Sequence, residues 1–185
     1  GGHVWDHGVS WTPTGNASAS RDDPGVVVTD ASGARRTISV PDVRDVEIGA
    51  DARRVFVAAG KGGKIELSGH DGLSGAKLWS QWADGRFLGL MRARSGHVGL
   101  VHERPNDGDR DTVAYFDAQG RSVGTYTQDY ITDVQSIDGK RWFVGNPLSL
   151  TRLDAGAAET KNIAAERLAV SPDGLRIAAT GGREL

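Results

Sequence analysis

Val113-Ala114-Tyr115-Phe116-Asp117-Ala118-Gln119-Gly120-Arg121 decides the fold. It is a β-prone apolar run closed by an aspartate, then a turn holding a glycine, then a polar strand through Ser122, Gly124 and Thr125. The same parts recur in the same order at 26–30 with Gly33 and Arg35, and at 65–67 leading to Asp71, Gly75 and Lys77. A weaker copy runs through 150–154 with Gly156. The four aspartates stand at 30, 71, 117 and 154, at spacings of 41, 46 and 37. Working outward, a second unit interleaves with the first. Val46, Glu47 and Ile48 run into Asp51 and then Val55, Phe56 and Val57. Residues 87–91 run into Ser95 and Gly96, 134–137 into Asp138 and Gly139, and 168–170 into Ser171, Pro172, Asp173 and Gly174. These turns, at 51, 95, 138 and 173, are spaced 44, 43 and 35. Two independent markers share a period near 42.

Asp-Gly and Ser-Gly turns supply the positive φ that tight hairpins need, so each marker predicts a hairpin between antiparallel strands. Val55–Val57 and Trp142, Phe143, Val144 are apolar on both faces, as strands covered on both sides must be. The last strand of each repeat is polar and suits a solvated edge. No segment predicts a convincing helix. Four strands per period of about 40–45 residues, graded from buried to polar, describe an all-β chain of β-propeller blades. A β-sandwich is the alternative fold. The expected partition is one domain over 1–185, with blades at about 43–82, 86–128 and 131–164. Residues 165–180 then supply the first two strands of a blade and 1–40 the last two or three, and one arrangement pairs these ends into a small closed ring. Otherwise the chain is part of a larger propeller or needs a second chain. The missing initiator Met and the abrupt Gly181–Leu185 end are what a truncated or processed chain would show.

Two segments carry a family resemblance. Ser171-Pro172-Asp173-Gly174-Leu175-Arg176-Ile177-Ala178 resembles the SPDG signature of TolB-like and WD40-like propellers. Asp71, Ser74, Gly75, Ala76, Lys77 and Trp79 resemble the D-x-x-T-G-K-x-x-W motif of quinoprotein-like, BamB-like (PQQ-like) blades, with Ser for Thr and an inserted Ala. The second resemblance implies that Trp79 docks one blade on the next. Neither motif specifies an activity. With the composition, the TolB-like motif suggests a bacterial periplasmic or extracellular protein.

Composition removes several classes. With 22 basic against 24 acidic side chains the net charge is −2, which gives no electrostatic ground for nucleic acid. The absence of cysteine excludes disulfides and thiolate chemistry. No apolar run reaches the ~20 residues of a membrane span. The chain has no P-loop, no G-x-G-x-x-G, no H-E-x-x-H and no nucleophile elbow. Twenty-six glycines in 185 residues fit a chain of many tight turns.

Few residues stand out as chemistry. Asp45 and Asp133, each at the start of an inner strand, and nearby Asp129 are the candidates for a catalytic group at a central channel. Asp107, Asp109 and Asp111 alternate like positions 1, 3 and 5 of a calcium loop, but Thr112 and Ala118 stand where that loop wants Gly and Glu. A solvated hairpin loop is the competing reading, and no other cofactor is expected. His3 and His7 share a face of a probable strand, where a metal site or the remnant of a tag are the two readings. His70, His97 and His102 read as surface or satisfied residues. Trp79 and Trp142 read as core, whereas Trp5, Trp11 and Trp82 are free to meet a sugar or a partner. The expected function is a non-catalytic binding or scaffold module that presents its loops to a partner protein, with self-association the other contact. The alternatives are a propeller enzyme (a hydrolase, a lyase or a quinoprotein-like oxidoreductase fragment) and a carbohydrate-binding propeller.

Overall fold

A computed structural model describes residues 9–12, 14–22, 24–49, 52–92, 96–104, 110–136, 138, 140–154, 157–171 and 176–181. It shows strands and turns and, among the described residues, no helix. The first sheet joins β1 (Val9–Trp11), β2 (Ser18–Asp22), β3 (Gly25–Thr29) and β4 (Arg35–Ser39) in chain order. The second joins β5 (Val43–Ile48), β6 (Arg54–Lys61), β7 (Lys64–Asp71) and β8 (Lys77–Asp84). The third joins β9 (Arg86–Arg92), β10 (Val98–Glu103), β11 (Arg110–Phe116) and β12 (Ser122–Asp129). The fourth joins β13 (Asp133–Ser136), β14 (Arg141–Gly145), β15 (Leu150–Asp154) and β16 (Ala157–Lys161), and β17 (Arg167–Val170) pairs with β18 (Ile177–Thr180). Every pairing is antiparallel between chain neighbours. Four-stranded meanders packed side by side, with first strands inside and polar fourth strands outside, are propeller blades and not the two facing sheets of a sandwich.

The N-terminal sheet has one strand more than expected. Residues 1–40 hold a full four-stranded sheet, because Val9–Trp11 adds a first strand against β2. Among the described residues β17 and β18 pair only with each other. The short Val-Ser-Trp strand carries too little apolar pattern to announce itself.

Strand alternation explains why the blades are apolar on both sides. In β6, Val55 and Val57 point into a core shared with the first sheet, while Phe56 and Ala58 point into one shared with the third. In the opening stretch, Val113 and Tyr115 face the fourth sheet and Ala114 and Phe116 face the second. The cores thus lie in the seams between blades. Outer strands β8 and β16 read as alternating or fully exposed.

The recurrent aspartates build the third-to-fourth-strand turns. Asp30 Oδ1 accepts the N–H groups of Ser32 and Ala34, at 2.8 and 3.1 Å, and Asp71 Oδ1 accepts those of Leu73 and Ser74. Asp117 does the same for Gln119 and Arg121. Gly33, Gly75 and Gly120 take the positive φ that closes each turn. Hydrogen bonds from the nearby serine hold the Asp30 carboxyl below its ordinary range, and those from Ser74 do so for Asp71.

Candidate functional site

At the inner edge of each seam one side chain reaches across to the next blade. Asp45 lies fully buried on β5; its Oδ1 accepts the Val46 N–H at 2.8 Å and its Oδ2 accepts the Leu90 N–H of β9 at 3.2 Å. Asp133 on β13 repeats the device, with Oδ2 accepting the Leu168 N–H of β17 at 2.7 Å. In the first seam Ser10 Oγ accepts the Ile48 N–H and donates to Glu47 at 2.6 Å. In the third, Asp111 Oδ2 accepts the Ile131 N–H at 2.8 Å from β11, while Gly89 occupies the inner-strand place before Leu90. Burial pushes the Asp45 carboxyl up to about 8, against its main-chain hydrogen bonds, and raises Asp133 as well.

These contacts engage the candidate carboxylates separately. Asp45 and Asp133 sit at different seams, each tied to the neighbouring blade. Asp129 is exposed, pairing with Arg110 at 3.3 Å. Asp111 is engaged by the Ile131 N–H, and its companions Asp107 and Asp109 lie outside the described residues, as do Trp5, His3, His7 and residues 172–175 of the SPDG segment. No group of three or more metal-ligating side chains occurs among the described residues. His70 is buried between Ser68 Oγ, at 2.9 Å, and the Gly75 carbonyl. His102 is also buried, but its Nδ1 lacks a hydrogen-bond partner, so it is only partly satisfied.

The tryptophans divide as their surroundings dictate. Trp142 is buried, with its ring 4.6 Å from that of Tyr115. Trp79 crosses from the second blade to the third and donates Nε1–H to the Ala118 carbonyl at 3.1 Å. Beside it Gln81 donates to the Gly120 carbonyl. Trp11 is 57% exposed and Trp82 50% exposed. One face of the Trp82 ring is covered by the Lys61 ammonium, 5.6 Å from its centroid.

That lysine marks the concavity the sequence reading missed. The β2–β3, β4–β5, β6–β7 and β8–β9 connections share one end of the sheets, here the loop face. There a hollow of about 450 Å³ opens between the first three blades. Its size falls within the ~300–1,000 Å³ usual for ligand sites. Arg21, Arg44, Lys61, Lys64 and Arg86 line it, with Asp42 the one carboxylate in the wall among the described residues. Ile65 and Phe87 give it an apolar floor. The Lys61-Gly62-Gly63-Lys64 hairpin turns through two positive-φ glycines and carries no bulk between its lysines. A second hollow of about 410 Å³ adjoins it, sharing Arg21 and Asp42. The five cations are spread over 66 residues of sequence in four separate segments, so no local charge run betrayed them.

A chain of antiparallel four-stranded blades joined at apolar seams, with a concave loop face, is a β-propeller in class. Among solved structures it is similar to hydrazine synthase of Kuenenia stuttgartiensis, with TM-score 0.66 and 17% identity over 91% of this chain and 59% of that one. It is similar also to the β-propeller domain of the trilobed protease of Pyrococcus furiosus, with TM-score 0.65, 12% identity and coverage of 85% and 56%. Pyrococcus horikoshii acylaminoacyl peptidase matches with TM-score 0.65, 12% identity and coverage of 91% and 34%. The chain therefore spans less than two thirds of the length of each of these structures, and the likeness is one of fold. No protein-family model and no curated protein matches the sequence.

Proposed function

We propose that this propeller is a non-catalytic binding module that receives a segment of a partner protein on its loop face. The observation that carries the reading is the open hollow between the first three blades, large enough for several side chains. Support comes also from the inner-strand aspartates: Asp45 and Asp133 are engaged by main-chain N–H groups of the next blade, which gives each a structural role. A sugar-stacking role for Trp82 is weakened by the lysine over its ring.

The cysteine-free sequence makes the test simple, because any introduced cysteine is a unique labelling site. A random peptide library is selected against the chain. Enriched peptides should lose binding when Lys64→Cys, on the rim of the hollow, carries a bulky maleimide. They should keep it when Leu73→Cys, 62% exposed on a turn at the opposite end of the sheets, is labelled. Failure to enrich any peptide, or blockage from position 73 alone, contradicts the reading.

A further inference from the structure

We infer that the loop-face hollow recognises an acidic peptide segment in which carboxylates flank an apolar side chain; this rests on the binding-module reading. Among the described residues five cations line the hollow against one carboxylate, and they outnumber the acids five to four even with their partners Asp84 and Glu103 and with Asp22 of the adjoining hollow counted. Because the whole chain carries −2, this positive rim is a local concentration and not a general property of the surface.

The pairs that hold these cations are exchangeable. Arg44 meets Asp42 at 3.0 Å and Lys64 meets Asp84 at 3.1 Å, with all four side chains more than half exposed. Surface pairs of this kind contribute roughly 0–1 kcal/mol, so an incoming carboxylate can replace the partner at little cost. Arg86 bonds Glu103 through Nε at 2.8 Å, and Arg21 donates to the Arg44 carbonyl at 2.9 Å, which sets both guanidinium groups at the wall. Gly62 and Gly63 have open space where a side chain would stand, which leaves room for an extended main chain to lie close. Phe87 and Ile65 below them offer a place for one apolar side chain. The cations stand around the rim and not on one phosphate-cradling loop, and they form no long basic stripe. Spaced carboxylates of a peptide match that arrangement better than the continuous backbone of a nucleic acid.

The test is fluorescence anisotropy with a labelled short peptide in which glutamates flank one leucine. A version with lysine for glutamate and a short single-stranded DNA serve as the comparison probes. The glutamate peptide should bind at low salt and weaken by about tenfold as the Debye length shrinks from ~30 Å to ~8 Å. Lys61→Glu with Lys64→Glu should cost about tenfold or more. Asp42→Asn should tighten binding several-fold by freeing Arg44, and asparagine tolerates the positive φ of 52° at that position. These variants act in opposite directions, so a folding defect in the first cannot imitate the pair of results. The inference is overturned if the glutamate peptide does not bind, if neither variant changes its affinity, or if the lysine peptide or the DNA binds in its place. Library peptides that are blocked from position 64 yet carry no acidic residues would overturn it while leaving the binding module standing.

Discussion

Asp45 holds two main-chain N–H groups at a place where ionisation is costly, since burial raises its carboxyl to about 8. The native state keeps a proton that the unfolded chain gives up near pH 4, so this contribution is complete below that pH and declines until about pH 8. Burial lowers His70 and His102, which works the other way: the unfolded chain gains protons there as pH falls through about 6.5. On the acid side the two effects therefore oppose each other, whereas above neutrality the buried carboxyl is the group that costs stability. Urea unfolding followed by tryptophan fluorescence should show a loss of about 1.4 kcal/mol from pH 7 to pH 9. Asp45→Asn keeps a carbonyl acceptor but cannot ionise, and most of that loss should vanish in it. An unchanged alkaline slope in the variant would remove Asp45 from the account.

Among the elements, the outer strands show how one repeat solves the same packing problem in two ways. Gly69 on β7 pairs with Trp79 on β8, and a Cβ at Gly69 would lie 2.3 Å from the indole Cε2. One blade on, the corresponding pair is Tyr115 on β11 and Gly124 on β12, so the large ring has changed strands and packs on Trp142. A double-mutant cycle tests this reciprocity. Trp79→Ala should cost about 3 kcal/mol and Gly69→Ala about 2 kcal/mol. With the indole gone, the added methyl should be nearly neutral, so the two costs fall well short of adding. Additive costs would mean that the glycine serves some other need. Trp79 as a blade-docking residue was legible, because the Asp71–Trp79 motif fixes both turn and spacing. The exchanged pair was not, since a tyrosine ending an apolar run and a glycine in a polar strand are each ordinary. The turns at 30–33, 71–75 and 117–120 were legible because Asp and Gly leave a local chemical mark, whereas the three-residue β1 leaves almost none.

For the whole molecule, what is legible follows from range. The doubly apolar strands showed that sheets must be covered on both sides, and the seams supply that cover. The carboxylates at inner-strand starts were correctly located, but their partners lie 35 and 45 residues on, at Leu168 and Leu90, beyond any local pattern. The hollow was invisible for the same reason: it exists only once the four connections of the first three blades share an end. Its position makes the loop face the proposed working surface of this propeller. The most direct measurement is amide hydrogen exchange of the chain with and without a library-selected peptide. Exchange should slow at 41–44, 60–65 and 85–87, with the opposite-face turns 72–75 and 118–120 unchanged. Slowing confined to those opposite turns, or to the outer edges of β8 and β12, would contradict it.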